Sequence, residues 1–252
     1  MLKDKVVIVT GGARGIGRAC VELFAADGAK VVFSDLSEKN GLEVQTVIRA
    51  SGGDVLFVKG NMAVEDDVVR MVDSAMSQYG RLDCAVNNGA IGMTGQPIHK
   101  LETADWRRVI DINLTGVFLC CKHQTRAMMV SGGGAIVNIS STDGVIGRPD
   151  ASDYNASKHG VLGLTRSAST QYRETLVRVN AVLPGLIFTP GIKSLADDPS
   201  FGPQIDSILN RHSIDRRGRP EDIAEACRWL LSDYASFVNG SSLSVDGGYL
   251  AR

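Results

Sequence analysis

The stretch that decides the fold is KVVIVTGGARGIG, residues 5–17. Its first six residues are a short apolar run, typical of a strand buried on both faces. Glycines follow at Gly11, Gly15 and Gly17, and the residues after them place apolar side chains at helical intervals. Glycine permits positive φ angles and close backbone approach, and the start of a helix offers free N–H groups to an anion. The stretch therefore predicts a site for a dinucleotide pyrophosphate, although a tight strand-to-helix turn alone would also explain the glycines.

Outward from this stretch, apolar runs and helical periods alternate along the chain. Strands are predicted near 5–10, 29–34, 54–59, 82–86, 135–140, 178–183 and 242–245, and helices near 16–26, 38–51, 64–79, 103–130, 154–174 and 220–232. Such alternation favours an α/β fold, a doubly wound (Rossmann) parallel sheet flanked by helices. No repeat or linker interrupts it, so residues 1–252 are predicted to be a single dinucleotide-binding catalytic domain. An irregular stretch rich in Pro, Gly, Asp and Ser predicts a substrate lid near 186–215.

The composition argues against several classes of function. Lys and Arg number 27 against 28 Asp and Glu, with no long run of one sign, which predicts no nucleic-acid and no membrane partner. The five cysteines lack a CxxC spacing and the four histidines lack ligand spacing, so neither a disulfide framework nor a metal site is predicted. No signal peptide and no membrane-spanning apolar stretch is recognised, and the expectation is a reduced, cytoplasmic protein.

Asp35 closes the second predicted strand, eighteen residues after Gly17. A carboxylate there accepts hydrogen bonds from both hydroxyls of an adenosine ribose and repels a 2′-phosphate, which favours NAD over NADP. Two alternatives stay open, because Asp35 could cap the next helix and Arg14 could pair with a 2′-phosphate. In the choice between NAD and NADP, Asp35 is given more weight than Arg14. Placing a phosphate dianion beside the carboxylate costs more free energy than leaving the arginine without a partner.

Tyr154 and Lys158 are four residues apart and share one side of a predicted helix. An ammonium beside a phenol stabilises phenolate, so the pKa of Tyr154 is expected to fall below its usual value of about 10. The phenol then removes or donates a hydroxyl proton as hydride is transferred at carbon. Ser141, at the end of the fifth strand, is predicted to hold the substrate oxygen. For the YxxxK spacing alone, an amphipathic helix with a surface lysine is the alternative.

Several further motifs occur in a fixed order. They are TGGARGIG at 10–17, Asn87-Asn88, Asn113 in DINLTG, Ser141 in IVNISS, Tyr154 with Lys158, PGLIFTP at 184–190 and VDGG at 245–248. With these motifs the chain resembles the short-chain dehydrogenase/reductase family over essentially its full length. The resemblance implies four catalytic residues, which are Asn113, Ser141, Tyr154 and Lys158. It implies a cofactor site made of Gly11, Arg14, Gly15, Ile16, Gly17, Asp35, Asn61, Met62, Asn88, Tyr154, Lys158, Pro184, Gly185, Ile187 and Thr189.

Some roles rest on the resemblance alone. Asn113 is expected to interrupt the helix over 103–130 and to hold a water linked to Lys158. Lys158 is expected to bind the nicotinamide ribose, and Thr189 the carboxamide. The chain also departs from the family pattern. It has Gly89-Ala90 where Ala-Gly is usual, and Asn61-Met62 where Asp-Val is common.

The leading functional prediction is NAD-dependent interconversion of a secondary alcohol and its ketone. The resemblance is strongest to family members that act on cyclic alcohols, diols and hydroxysteroids. One alternative is a 3-oxoacyl-carrier-protein reductase using NADPH, which Asp35 and the absence of a basic cluster at 127–132 oppose. Another is a non-catalytic NAD-binding protein, which the complete catalytic set opposes. The only partner expected besides another copy of the chain is a small-molecule substrate.

The resemblance also implies a homotetramer. Helices 103–130 and 154–174 are expected to form one interface, and the last strand with helix 220–232 the other. Cys120 and Cys121 are expected at the first of these interfaces. Arg148, Asp150 and Asp153 are interpreted as solvated loop charges rather than as substrate contacts.

Overall fold

Seven parallel strands make up one central sheet. Within the described residues, 1–197 and 202–251 of this computed structural model, they are β1 (Val6–Thr10), β2 (Lys30–Asp35), β3 (Asp54–Lys59), β4 (Cys84–Asn87), β5 (Gly134–Ile139), β6 (Val177–Pro184) and β7 (Ser242–Val245). Their order across the sheet is β3-β2-β1-β4-β5-β6-β7, and every adjacent pair is parallel. The predicted doubly wound sheet is therefore confirmed.

Helices cover both faces of this sheet. They are α1 (Gly15–Ala26), α2 (Glu38–Ala50), α3 (Glu65–Tyr79), α4 (Thr103–Ile110), α5 (Gly116–Ser131), α6 (Ser152–Gln171), α7 (Pro190–Ala196), α8 (Gly202–Leu209) and α9 (Pro220–Leu231). One core cluster joins α1, α2 and α9 to the first face, and a second joins α3, α5 and α6 to the other.

The apolar run of β1 shows why the strands read as continuous hydrophobic segments. Val7 and Val9 lie in the first core cluster, whereas Val6 and Ile8 lie in the second. Successive side chains of a strand point to opposite faces, and both faces are covered here, so each position is apolar.

The strand order reverses at β1, because β2 pairs on one side of it and β4 on the other. The chain therefore leaves the carboxyl ends of these strands in opposite directions and opens a crevice between them. In open α/β sheets, ligands bind outside the carboxyl ends of the strands at such a point.

The predicted elements match the observed ones apart from small shifts at their ends, with one exception. The helix predicted over 103–130 is two helices, α4 and α5, separated by a π-helical turn, Asp111–Thr115. The interruption at Asn113 implied by the resemblance is confirmed. Part of the predicted lid, 198–201, lies outside the described residues, and the rest of 186–215 contains α7 and α8.

Two cysteines differ from their expected place. Cys120 and Cys121 are buried in the second core cluster rather than displayed at the surface of α5. The Cys121 thiol lies 3.5 Å from the Asn138 side-chain oxygen, within a buried polar network that includes Asn87 and Gln124. A thiol pair at a subunit interface is therefore wrong.

Candidate active site

A cavity of about 640 Å³ opens at the carboxyl edge of the sheet. Of the predicted site residues, those lining it are Gly11, Arg14, Gly15, Ile16, Asp35, Asn61, Met62, Asn88, Ser141, Tyr154, Lys158, Pro184, Gly185, Ile187 and Thr189. Two predicted residues, Gly17 and Asn113, do not line the cavity and support its walls from behind. Residues that are far apart in the sequence, from Gly11 to Thr189, thus meet in one crevice.

The glycine turn between β1 and α1 forms one end of the cavity. Gly11 and Gly15 have φ angles of +65° and +54°, in the left-handed region where a side chain is strained. A Cβ on Gly17 would collide with the carbonyl oxygen of Gly11, and one on Gly15 would lie 3.0 Å from Thr189 Cγ2. At these three glycines there is no room for a side chain, which leaves space and α1 N–H groups for a pyrophosphate.

Asp35 is buried at the end of β2, beside the glycine turn. Its carboxylate accepts hydrogen bonds from the backbone N–H of Ala13 (3.2 Å) and of Ser37 (3.0 Å). The alternative that Asp35 caps α2 is wrong, because Ser37 is the N-cap and accepts from Asn40 N. The carboxylate is held at the cavity wall and suits a ribose diol.

Asn88, at the end of β4, fastens the glycine turn. Its side-chain amide donates to the carbonyl oxygens of Thr10 (3.0 Å) and Gly11 (3.2 Å), and its backbone N–H donates to the Thr10 hydroxyl (3.0 Å). These bonds tie the ends of β1 and β4 together. The width of the crevice is set by them.

The two departures from the family pattern lie against each other. A Cβ on Gly89 would come within 2.5 Å of the Met62 sulfur. The glycine at 89 therefore makes room for a methionine at 62, and the two unusual residues compensate in volume.

Tyr154 and Lys158 lie one turn apart on α6, at the other end of the cavity. The Lys158 Nζ is 5.5 Å from the centroid of the Tyr154 ring and donates to the Ile139 carbonyl oxygen at 3.0 Å. Ser141, just beyond β5, forms a side-chain hydrogen bond with Tyr154 and accepts one from Asp143 N at 3.1 Å. The Tyr154 phenol, the Ser141 hydroxyl and the Lys158 ammonium thus lie together at this end of the cavity.

Burial dominates the titration of this group. Burial, with a smaller contribution from the charge of Asp143, raises the pKa of Tyr154 to about 12, even though the Ser141 hydrogen bond and Arg148 lower it. Burial also lowers the pKa of Lys158 to about 8. The expectation of a lowered pKa for Tyr154 is wrong for the protein alone, because loss of water around the phenol outweighs the cationic neighbours.

Asn113 is fully buried in the π-helical turn. Its side chain accepts from Ile91 N and donates to the Ile91 carbonyl oxygen, both at 2.9 Å, and lies 3.4 Å from the Ser157 hydroxyl. It therefore fixes the start of the loop after β4 against α6. The water relay implied by the resemblance stays a prediction.

Charges near the entrance are less solvated than expected. Asp153 is fully buried and accepts hydrogen bonds from Thr94 N (3.1 Å) and Thr94 Oγ1 (2.8 Å). Arg148 lines the cavity and pairs with buried Asp143. The interpretation of Asp153 as a solvated charge is wrong, whereas Arg148 is partly exposed and Asp150 is exposed as expected.

Sequence reasoning did not name Met93, Asp143 and Tyr249, which also line the cavity, whereas Leu186 lies in the predicted lid over 186–215. Asp143 follows Ser141 by two residues, and that proximity was the one available signal. The others come from loops and from the chain end, where nothing in the sequence marks a role.

The comparison with known proteins agrees with this geometry. Residues 11–250 match a family model described as enoyl-(acyl carrier protein) reductase. The chain is 44% identical over 248 residues to cis-4-hydroxycyclohexanecarboxylate dehydrogenase of Sinomonas cyclohexanicum, covering 98% of this chain and 97% of that protein. The chain belongs to the short-chain dehydrogenase/reductase family.

Other members of the short-chain dehydrogenase/reductase family are also similar. The 2,5-dichloro-2,5-cyclohexadiene-1,4-diol dehydrogenase of Sphingobium indicum is 43% identical, with 99% of this chain and 98% of that protein covered. Levodione reductase has a solved structure with a TM-score of 0.94 at 33% identity, covering 100% of this chain and 99% of that one.

As a member of this family the chain is an oxidoreductase that uses a nicotinamide cofactor. The alternatives of a carrier-protein reductase and of a non-catalytic binding protein are not favoured. None of the helices in the described part of the chain is long and apolar enough to cross a membrane.

Proposed function

We propose that this chain is an NAD-dependent dehydrogenase of a cyclic secondary alcohol, which it interconverts with the matching ketone. The observation that carries the proposal is that Ser141, Tyr154 and Lys158 meet at one end of the cavity that holds Asp35 at the other. The named substrates of the two relatives above, both ring alcohols, support a cyclic substrate.

In the oxidative direction, Tyr154 takes the hydroxyl proton of the alcohol while Ser141 holds the same oxygen. Bound NAD supplies the hydride acceptor. Lys158 is cationic below about pH 8 and its charge favours the phenolate form of Tyr154. Met93 and Leu186 give the chamber apolar walls that keep water from the reacting carbon.

Asp35 supports NAD rather than NADP. Its buried carboxylate is fixed by two backbone N–H groups, so it cannot turn away from an incoming phosphate. A 2′-phosphate beside it would bring like charges together in a partly desolvated place. Arg14, which also lines the cavity, is left to the pyrophosphate end of the site.

The remaining proposals concern the setting of the enzyme. Residues 1–252 are proposed to be one catalytic domain, which the single sheet from β1 to β7 supports. A cytoplasmic location is supported by five free cysteines, all buried, as expected in a reducing compartment. A homotetramer is supported by exposed apolar side chains on two regions, Phe118 and Met129 on α5, and Trp229, Tyr234 and Phe237 near α9.

The test is NAD and NADP reduction, followed by nicotinamide absorbance, with cyclohexanol and with acyclic alcohols. We expect reduction of NAD with the cyclic alcohol. Tyr154→Phe should lower kcat by about 10²–10⁴ with little change in NAD affinity, because it removes only the transferable proton. Tyr234→Phe, far from the cavity and exposed, is the matched control. Turnover by Tyr154→Phe at the wild-type rate would contradict the mechanism, and reduction of NADP alone would contradict the role of Asp35.

A further inference from the structure

Arg148 is a cation at the substrate end of the cavity that the reaction described above does not use. Its side chain is 30% exposed and lines the cavity, with the apolar Met93 as a neighbour. It is close enough to Tyr154 for its charge to act on the phenol. A guanidinium among apolar walls, beside the reacting group, needs an explanation.

The loop that carries Arg148 is fixed from within. The Asn155 side chain accepts from Arg148 N at 3.2 Å and donates to the carbonyl oxygens of Asp143 and Ile146, both at 2.7 Å. The backbone of the loop is thereby bound to the first turns of α6, which also carries Tyr154. Arg148 and Tyr154 are held in one rigid frame.

Asp143 orients the guanidinium from behind. Its side chain is only 3% exposed, too buried to meet a substrate itself, and its Oδ2 lies 3.3 Å from Arg148 Nε. Burial raises the pKa of Asp143, and the charges of Arg148 and His159 oppose this rise. The Asp143 carboxylate thus comes closest to Arg148 at Nε, and not at the terminal nitrogens Nη1 and Nη2.

The terminal nitrogens of Arg148 are left for another partner. Nη1 is 4.0 Å from the sulfur of Met93, a weak acceptor on the cavity wall. Within the described part of the chain Nη2 makes no side-chain hydrogen bond. The loop bearing Met93 is in turn held by the two bonds from Thr94 to Asp153. Among the described residues, the terminal nitrogens of Arg148 thus have only the Met93 thioether as a side-chain hydrogen-bond partner, while Asp143 lies behind them at Nε.

We infer that Arg148, positioned by Asp143, binds a carboxylate on the ring of the substrate, so that the enzyme prefers cyclic hydroxy acids to unsubstituted cyclic alcohols. This inference rests on the proposed function, since it places the anion on the same molecule whose hydroxyl meets Tyr154. A guanidinium has donors only, and its two terminal nitrogens match the two oxygens of a carboxylate. A hydroxyl would use one of them and would gain nothing from the positive charge.

The experiment compares kcat/KM for cis-4-hydroxycyclohexanecarboxylate and for cyclohexanol, with NAD, in the wild type and in Arg148→Met. We expect the wild type to prefer the acid, and Arg148→Met to lower this preference by about 10- to 100-fold, the loss expected for a charge-assisted hydrogen-bonded pair. The loss should fall mainly on KM, because the carboxylate is bound equally before and during hydride transfer. Arg148→Lys keeps the charge and should restore part of the preference. Lys3→Met, an exposed charge before β1, controls for net charge.

A second measurement keeps the two proposals apart. Binding of cyclohexanecarboxylate, which has no hydroxyl to oxidise, is measured by calorimetry with NADH present. If Arg148→Met weakens this binding at least tenfold, the carboxylate site is supported. If the wild type at the same time oxidises neither alcohol, only the proposed function is overturned. Equal loss for both alcohols in Arg148→Met, or a wild type that oxidises both without preference, overturns the carboxylate site alone.

Asp143→Asn tests the positioning role. It keeps the size of the side chain and removes the charge that orients Arg148. We expect a smaller loss of preference for the acid than in Arg148→Met, seen in KM for the acid and not in KM for cyclohexanol. An equal rise in KM for both substrates would show that Asp143 supports only the loop.

Discussion

Lys158 lies in an environment very different from that of its free side chain. It is 2% exposed, and the one hydrogen bond from its ammonium within the described residues goes to a backbone carbonyl, that of Ile139. Burial lowers its pKa to about 8, and among the described residues no carboxylate is near enough to offset the lost hydration. The ammonium is thus kept in a place that disfavours its charge, next to the phenol whose ionisation we propose that it assists.

This burial has a measurable effect on stability. The folded-state pKa of about 8 lies below the unfolded value of about 10.4, so the unfolded chain binds more protons between these values. The free energy of unfolding contributed by Lys158 therefore rises with pH across that window. Urea unfolding at pH 7.5 and 9.5 should show the wild type gaining about 2 kcal/mol relative to Lys158→Met. If the difference in the free energy of unfolding between the two proteins is the same at both pH values, the pKa of Lys158 is not lowered by burial.

At the scale of the elements, the join between β1 and α1 shapes the cofactor end. Gly11 and Gly15 supply the left-handed backbone, and Gly17 lets α1 start directly against the Gly11 carbonyl. Asn88 then ties this turn to β4. The turn is closely packed because Gly11 and Gly17 leave no space for a Cβ beside the Gly11 carbonyl and the Asn88 side chain.

Gly17→Ala tests this packing. The added Cβ would overlap the Gly11 carbonyl oxygen, a backbone atom that cannot swing aside. We expect the free energy of unfolding to fall by about 1–3 kcal/mol, as for other overpacked sites, with weaker NAD binding as the turn shifts. Gly147→Ala is the control, because a Cβ there meets nothing within 4 Å. Unchanged NAD affinity together with unchanged stability in Gly17→Ala would contradict the close packing of the turn.

At the scale of the whole molecule, apolar side chains remain exposed after folding. Phe237 is fully exposed and Tyr234 is 78% exposed, both following α9, while Trp229 on α9 is 37% exposed. Apolar groups clustered at one end of a folded protein usually mark an interface. These groups lie where the resemblance places one interface of a homotetramer.

Light scattering at micromolar concentration should give a mass of about four times 26.9 kDa. Phe237→Asp places a charge in the proposed contact and should yield a smaller species, because an unpaired charge is not readily buried between subunits. Leu42→Asp, on the exposed side of α2, should leave the mass unchanged. A monomeric wild type would refute the tetramer.

The sequence by itself determined the sheet, the glycine turn and most of the catalytic group. These depend on local patterns, because a strand covered on both faces is apolar at every position and Tyr154 and Lys158 share a helix face through their spacing alone. Asp35 was placed correctly since it ends a strand whose neighbour carries the turn. The order of the motifs along the chain gave the family.

Only the tertiary structure decided the rest. The high pKa of Tyr154 and the low pKa of Lys158 come from burial by distant segments, which spacing does not reveal. The match between Met62 and Gly89, and the pairing of Arg148 with Asp143, are contacts between side chains whose positions loops determine. Local pattern specifies elements, whereas desolvation and side-chain contact arise only when elements pack together, and the substrate end of this enzyme is made of such contacts.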